Sequence, residues 1–176
     1  MSAQAAQLQS VVALDGPSEP TTSLGVGSGT VNYDDVAHTL ELQVSFSGLT
    51  GNTTISHLHA PTPSPFSGTA SVATTTPTLF GFPAGVTSGS YSNTLDLTSA
   101  SSYNPAFVTA NGGTTAGAES ALAAAMAGGQ AYWNIHSTFA GGGEIRGFLV
   151  PVPEPSALAL FGLGAGAIAW RLRRKV

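Results

Sequence analysis

His57 and His59 stand two apart in the segment His57-Leu58-His59-Ala60-Pro61. On a β-strand, residues two apart share a face with roots about 7 Å apart, so both imidazoles point one way and Leu58 points the other. Two such rings can converge on one ion. A second segment, Tyr132-Trp133-Asn134-Ile135-His136, puts Tyr132, Asn134 and His136 on one face and leaves Trp133 and Ile135 to pack a core. If the two strands are neighbours, His57, His59 and His136 offer three neutral nitrogens to an open tetrahedral or trigonal site for zinc or copper. The competing expectation is that these histidines are structural, hydrogen-bonding loops across one end of the fold.

A third segment, Gly141-Gly142-Gly143-Glu144-Ile145-Arg146-Gly147, sets Glu144 and Arg146 two apart on a strand. There they are expected to pair, or to form with Asn134 a polar network on the histidine face. Arg146 is expected to tie strands together, because a buried guanidinium needs carboxylate and carbonyl partners. The three glycines read as a tight turn; no helix or lysine follows to make a phosphate loop. His38 lies in phase with the apolar side of its segment and reads as a rim or core histidine. No nucleophile-base pair, paired carboxylates or nucleophile elbow is evident, so the leading expectation is a non-enzymatic module.

These side chains need strands to hold them. Short runs of alternating apolar and polar residues recur between Gly, Asn and Pro, which predicts a mostly β, antiparallel sandwich or barrel-like single domain. The clearest run is 38–47, with Leu40, Leu42, Val44 and Phe46 on the core face. A turn at Tyr33-Asp34-Asp35 is expected to pair 29–32 with 39–42, and further strands are predicted at 9–14, 54–59, 89–97, 130–136 and 144–150. One short helix is predicted over 114–127, from Leu122 and Met126 at i, i+4, a Thr114 or Thr115 cap and a Gly128-Gly129 stop.

The chain has 176 residues, room for one domain and a tail. Four of its five basic residues lie in the last six positions, leaving Arg146 as the only base before Pro151 against eight acids. That excludes a nucleic-acid surface, which needs clustered Lys and Arg. With no cysteine there is no disulfide framework and no thiolate metal site.

The tail is composed differently. Val152-Pro153-Glu154-Pro155 precedes an uncharged apolar run from Ser156 to Trp170, and Arg171, Arg173, Arg174 and Lys175 follow at once. As a helix the run rises roughly 22 Å, short for a hydrocarbon core of about 30 Å, so flanking residues or local thinning must make up the difference. The basic end is expected in the cytoplasm and the body outside. Ala3-Gln4-Ala5 has the small-x-small form of a signal-peptidase site, so residues 1–7 are read as a signal-peptide remnant or disordered start, with the true start upstream.

Pro-Glu-Pro, a short apolar helix and an Arg-rich end together resemble the PEP-CTERM sorting signal. The resemblance implies a membrane peptidase, exosortase, that recognises the Pro-Glu-Pro segment and removes the helix. It further implies transient anchoring in the inner membrane, then release or attachment at the surface of a Gram-negative cell, often one that makes exopolysaccharide. The body, read as residues 8–150, resembles the CHRD domain: Leu14-Asp15-Gly16 with Glu19-Pro20, then His-x-His with Ala-Pro, then aromatic-x-Asn-x-His, then Gly-Glu-Ile-Arg-Gly, all in order. That likeness implies a secreted β-sandwich-like module, here in surface or matrix interactions. The alternative expectation is a copper or zinc protein. His-x-His with a distant third histidine is similar to the copper side of Cu/Zn superoxide dismutase, although no Asp-containing zinc site is evident nearby.

Overall fold

Alternation in sequence becomes alternation in burial: along 39–47 the apolar residues Leu40, Leu42, Val44 and Phe46 are buried and the polar ones between them face outward. The computed structural model of the protein describes residues 7–153. In chain order it contains β1 (Gln7–Asp15), β2 (Val26–Asp34), β3 (Thr39–Ser47), β4 (Thr53–His59), β5 (Gly89–Asp96), α1 (Pro105–Ala110), α2 (Thr115–Ala127), β6 (Tyr132–Ser137), β7 (Ile145–Phe148) and β8 (Val150–Pro151).

The strands make one antiparallel sheet in the order β4-β6-β7-β1-β2-β3-β5, with β8 continuing the pairing on β1. It curls into a half-barrel. Of the two expected arrangements the barrel-like one is the nearer: a single continuous, curled sheet whose inner face and helices enclose the core, not two packed sheets. Val12 and Leu14 from β1, Leu58 from β4, Trp133 and Ile135 from β6, and Leu122 and Met126 from α2 meet there with the β3 residues. Trp133 is wholly buried and its indole N–H donates to Ser56 Oγ at 2.8 Å, so the largest core side chain leaves no orphan donor.

The helix over 115–127 forms as its caps predict: Thr114 Oγ1 accepts from the Gly117 N–H at 3.1 Å, and Gly128 and Gly129 follow the last turn. A second helix, α1, went unpredicted. Its six residues are too short to show a period, yet Asn104 capping Ala106 N–H and Pro105 in the first turn are ordinary start signals.

Three expectations on strand edges change. The run 144–150 is split into β7 and β8 at Leu149, and within β7 Gly147 packs closely on β1, where a Cβ would lie 1.9 Å from the Ala13 carbonyl oxygen. His38 is neither core nor in phase with β3; it sits in the β2–β3 turn at φ 51°. The hairpin register pairs 29–32 with 41–44.

Among the described residues no helix is long and apolar enough to cross a membrane. The expected membrane anchor at 156–170, the basic end and residues 1–6 lie outside them. Gln7, expected in the leading segment, already pairs with Asp34 in β1. At the other end Val152 N–H still donates to the Gln9 carbonyl at 2.8 Å, and Pro153 is exposed.

Candidate metal centre

β4 and β6 are neighbours, which is the condition the histidines needed. Their register sets His57 opposite Asn134 and His59 opposite Tyr132, with His136 next along the same face. The three imidazoles come together, with ring centroids 5.6 to 6.1 Å apart, and each residue is at least nine-tenths buried.

Loops covering the strands fix each ring. One nitrogen of each points at a backbone carbonyl: His57 Nε2 at Pro77 (2.7 Å), His59 Nδ1 at Ala70 (2.9 Å) and His136 Nδ1 at Gly141 (2.9 Å). A carbonyl oxygen only accepts, so those nitrogens carry the protons and the other three carry lone pairs. His57 Nδ1, His59 Nε2 and His136 Nε2 are all buried without a hydrogen-bond partner. One nitrogen from each histidine lies within 4.8 Å of the others, so a point exists within about 2.8 Å of all three. A closure of less than an ångström brings them to metal-nitrogen distances of about 2.0–2.1 Å.

Three buried acceptors facing one another are costly, about 1–3 kcal/mol each when unsatisfied. Burial also pushes all three pKa values down, His59 to about 4, so the rings are neutral near pH 7. A cation at the common point satisfies all three at once, and the carbonyls already hold the tautomers that ligation requires.

The surroundings stiffen this arrangement. Tyr132 stacks on His59 with centroids 4.8 Å apart and planes at 11°, and its hydroxyl lies 3.2 Å from the Ala70 carbonyl that also takes the His59 proton. The Arg146 guanidinium lies 5.0 Å from the Tyr132 ring centroid. Asn134 donates to the Gly142 carbonyl at 3.2 Å. The glycine turn is thus part of the site, supplying carbonyls to His136 and Asn134. Gly143 has φ 136°, and a Cβ on it would strike the Asn134 amide at 2.4 Å.

Glu144 and Arg146 do not pair, which corrects the expected network. The chain enters β7 only at Ile145, so the two-residue rule fails at Glu144. Its buried carboxylate instead accepts from Ser23 Oγ, Ser137 Oγ and the backbone N–H groups of Thr50 and Gly51 (the last at 3.1 Å), fastening three loops. Burial alone would raise its pKa, but these bonds outweigh it and hold the pKa below the usual carboxylate range. Arg146 sits opposite Asn134 and pairs with Glu19 at 3.1 Å, with the Ser18 and Gly68 carbonyls as further acceptors. Burial raises the Glu19 pKa against the lowering effects of Arg146 and Asn134. The sequence signal for this pair was charge balance: a lone cation needed one of eight acids. His38 lies elsewhere, with Nδ1 2.9 Å from Glu119 Oε1 on α2, and that bond raises its pKa.

The shifts set a pH dependence for the metal-free protein. The three buried histidines bind protons less readily folded than unfolded, so as pH falls below 6.5, for His59 down to about 4, the unfolded chain holds more protons and stability falls. His38 acts oppositely: its contribution is full below 6.5 and is lost as pH rises through its raised value. Three groups outweigh one exposed one. Urea midpoints measured without metal should therefore drop from pH 7 to pH 5, and an unchanged or rising midpoint contradicts the geometry.

Comparison with known families agrees with the motifs. The CHRD domain model matches residues 5–149, and the PEP-CTERM protein-sorting motif matches residues 151–175. No curated protein and no solved structure matches the chain.

Proposed function

The chain belongs to the CHRD-domain family, and from that premise we propose that its body is an extracellular module carrying one transition-metal ion, zinc or copper, on His57, His59 and His136. The PEP-CTERM motif marks an exported protein that is processed by exosortase and sorted via the membrane. In our reading the peptidase meets Pro153-Glu154-Pro155 just past the last strand, where Val152 is still tied to β1 and Pro153 is exposed. The run from Ser156 to Trp170 then serves as a transient inner-membrane anchor, with Arg171, Arg173, Arg174 and Lys175 inside. The processed body is left at the cell surface or in its matrix, where exopolysaccharide is a candidate partner.

One observation carries the metal reading: the three histidines bring one nitrogen each within 4.8 Å of the others, and each ring has one buried nitrogen without a partner while its opposite nitrogen is held by a carbonyl. The same burial favours holding an ion over superoxide dismutase-like turnover, because a substrate must reach the metal and these lone pairs are sealed from solvent. Thermal unfolding of the exported protein tests the reading. Stripping with a chelator should lower Tm and readdition of one equivalent of zinc or copper should restore it. A ligand at a hundred times its Kd adds about 2.7 kcal/mol, or roughly 5 to 10 °C for a domain of this size. A Tm indifferent to both treatments would sink the proposal.

A further inference from the structure

Resting on that metal reading, we propose that the ion is monovalent copper, held by the three histidine nitrogens and by no fourth ligand. Charge points to a monovalent ion. Each imidazole keeps its proton on the nitrogen facing Pro77, Ala70 or Gly141, so the donor set is neutral. Among the described residues no carboxylate joins the group. Glu144 is engaged by two serines and two backbone N–H groups, and Glu19 by Arg146. The charge of the occupied site is therefore the charge of the ion itself.

Burial points the same way. His57, His59 and His136 are 2%, 8% and 7% exposed, and their lone-pair nitrogens are inaccessible. The cost of taking an ion out of water grows with the square of its charge, so a dication costs about four times as much as a monocation of similar size. Without an anionic ligand to offset that cost, a monocation is the less costly occupant of the site.

The coordination number fits copper(I) as well. Zinc(II) on three histidines completes its shell with a fourth ligand, water or substrate, and copper(II) prefers tetragonal sets of nitrogen and oxygen. The protein offers three nitrogens at the corners of a small triangle and seals the space around them. Zinc(II) shares the filled d shell of copper(I), but copper(I) carries half the charge and is satisfied by three donors, and imidazole is an accepted copper ligand.

The test uses the full exported protein in three anaerobic titrations, with copper(I) against the chelator bicinchoninate, with copper(II) and with zinc(II), followed by X-ray absorption of each loaded form. The expected result is one copper(I) per chain, retained against the chelator, with three nitrogen neighbours and no fourth. His136→Ala should weaken copper(I) by at least about a hundredfold, the upper end for groups one step further from an ion. The coordination number is read on the unmodified protein, so the test survives if that variant does not fold. Four-coordinate zinc(II) or copper(II) in a protein that yields copper(I) to the chelator overturns this inference and leaves the metal reading intact. No binding of any of the three ions overturns both.

Discussion

Replacing His57 and His59 together by alanine should abolish stoichiometric metal binding while the protein still folds. Structural metal sites contribute on the order of 10 to 16 kcal/mol over their full ligand set. A share of roughly 3 kcal/mol per ligand makes loss of two a weakening of about ten-thousand-fold. The fold has reason to tolerate the change. Both rings lie on the β4 face away from Leu58, the wholly buried residue between them. Their removal also takes away two of the three unpaired acceptors. The opposing account makes the histidines pins for the Pro77 and Ala70 loops, and it predicts a loss of stability with no metal to lose. Calorimetric titration of the variant beside the unmodified protein, with circular dichroism to confirm folding, separates the two.

Glu144→Ala should be the most destabilising single change near the site, by about 3–5 kcal/mol. The buried carboxylate takes four hydrogen bonds, from Ser23, Ser137, Thr50 and Gly51, and alanine leaves each donor without its acceptor. Domains of this size are stable by only about 5–15 kcal/mol, so the variant should sit near its unfolding threshold. Its pKa is held low, so its contribution is present above the ordinary carboxylate value of 4.5 and is lost as pH falls through the folded value. Guanidinium unfolding of Glu144→Ala and Glu144→Gln checks this. A change below about 1 kcal/mol in the alanine variant would show that the cluster does not hold the loops.

The histidine face was legible because period-2 geometry holds wherever the chain is truly a strand. His57 with His59, and Tyr132, Asn134 and His136, fall as that period demands. What the period could not supply was which strands lie side by side, since β4 and β6 are joined only after β5 and both helices have intervened. The same limit left sandwich and barrel-like arrangements both open: alternation says which face is buried, and says nothing of whether one curled sheet or two flat ones bury it. The rule failed where the backbone departs from a strand. Gly143, at φ 136°, turns the chain so that Glu144 falls out of phase with Arg146, and His38 is in a left-handed turn although its spacing fits β3. The carbonyls of Ala70, Pro77 and Gly141 had no sequence signal at all, because every residue carries one. Those carbonyls nonetheless set the tautomers on which the metal reading depends.

The most direct test of that reading is the metal content of the processed protein isolated from outside the cytoplasm of its native host, measured by elemental analysis beside His57→Ala/His59→Ala prepared in the same way. The account predicts one transition-metal ion per chain in the unmodified protein and none in the variant. An unmodified protein that is isolated without stoichiometric metal, and takes up none when it is offered, would contradict it.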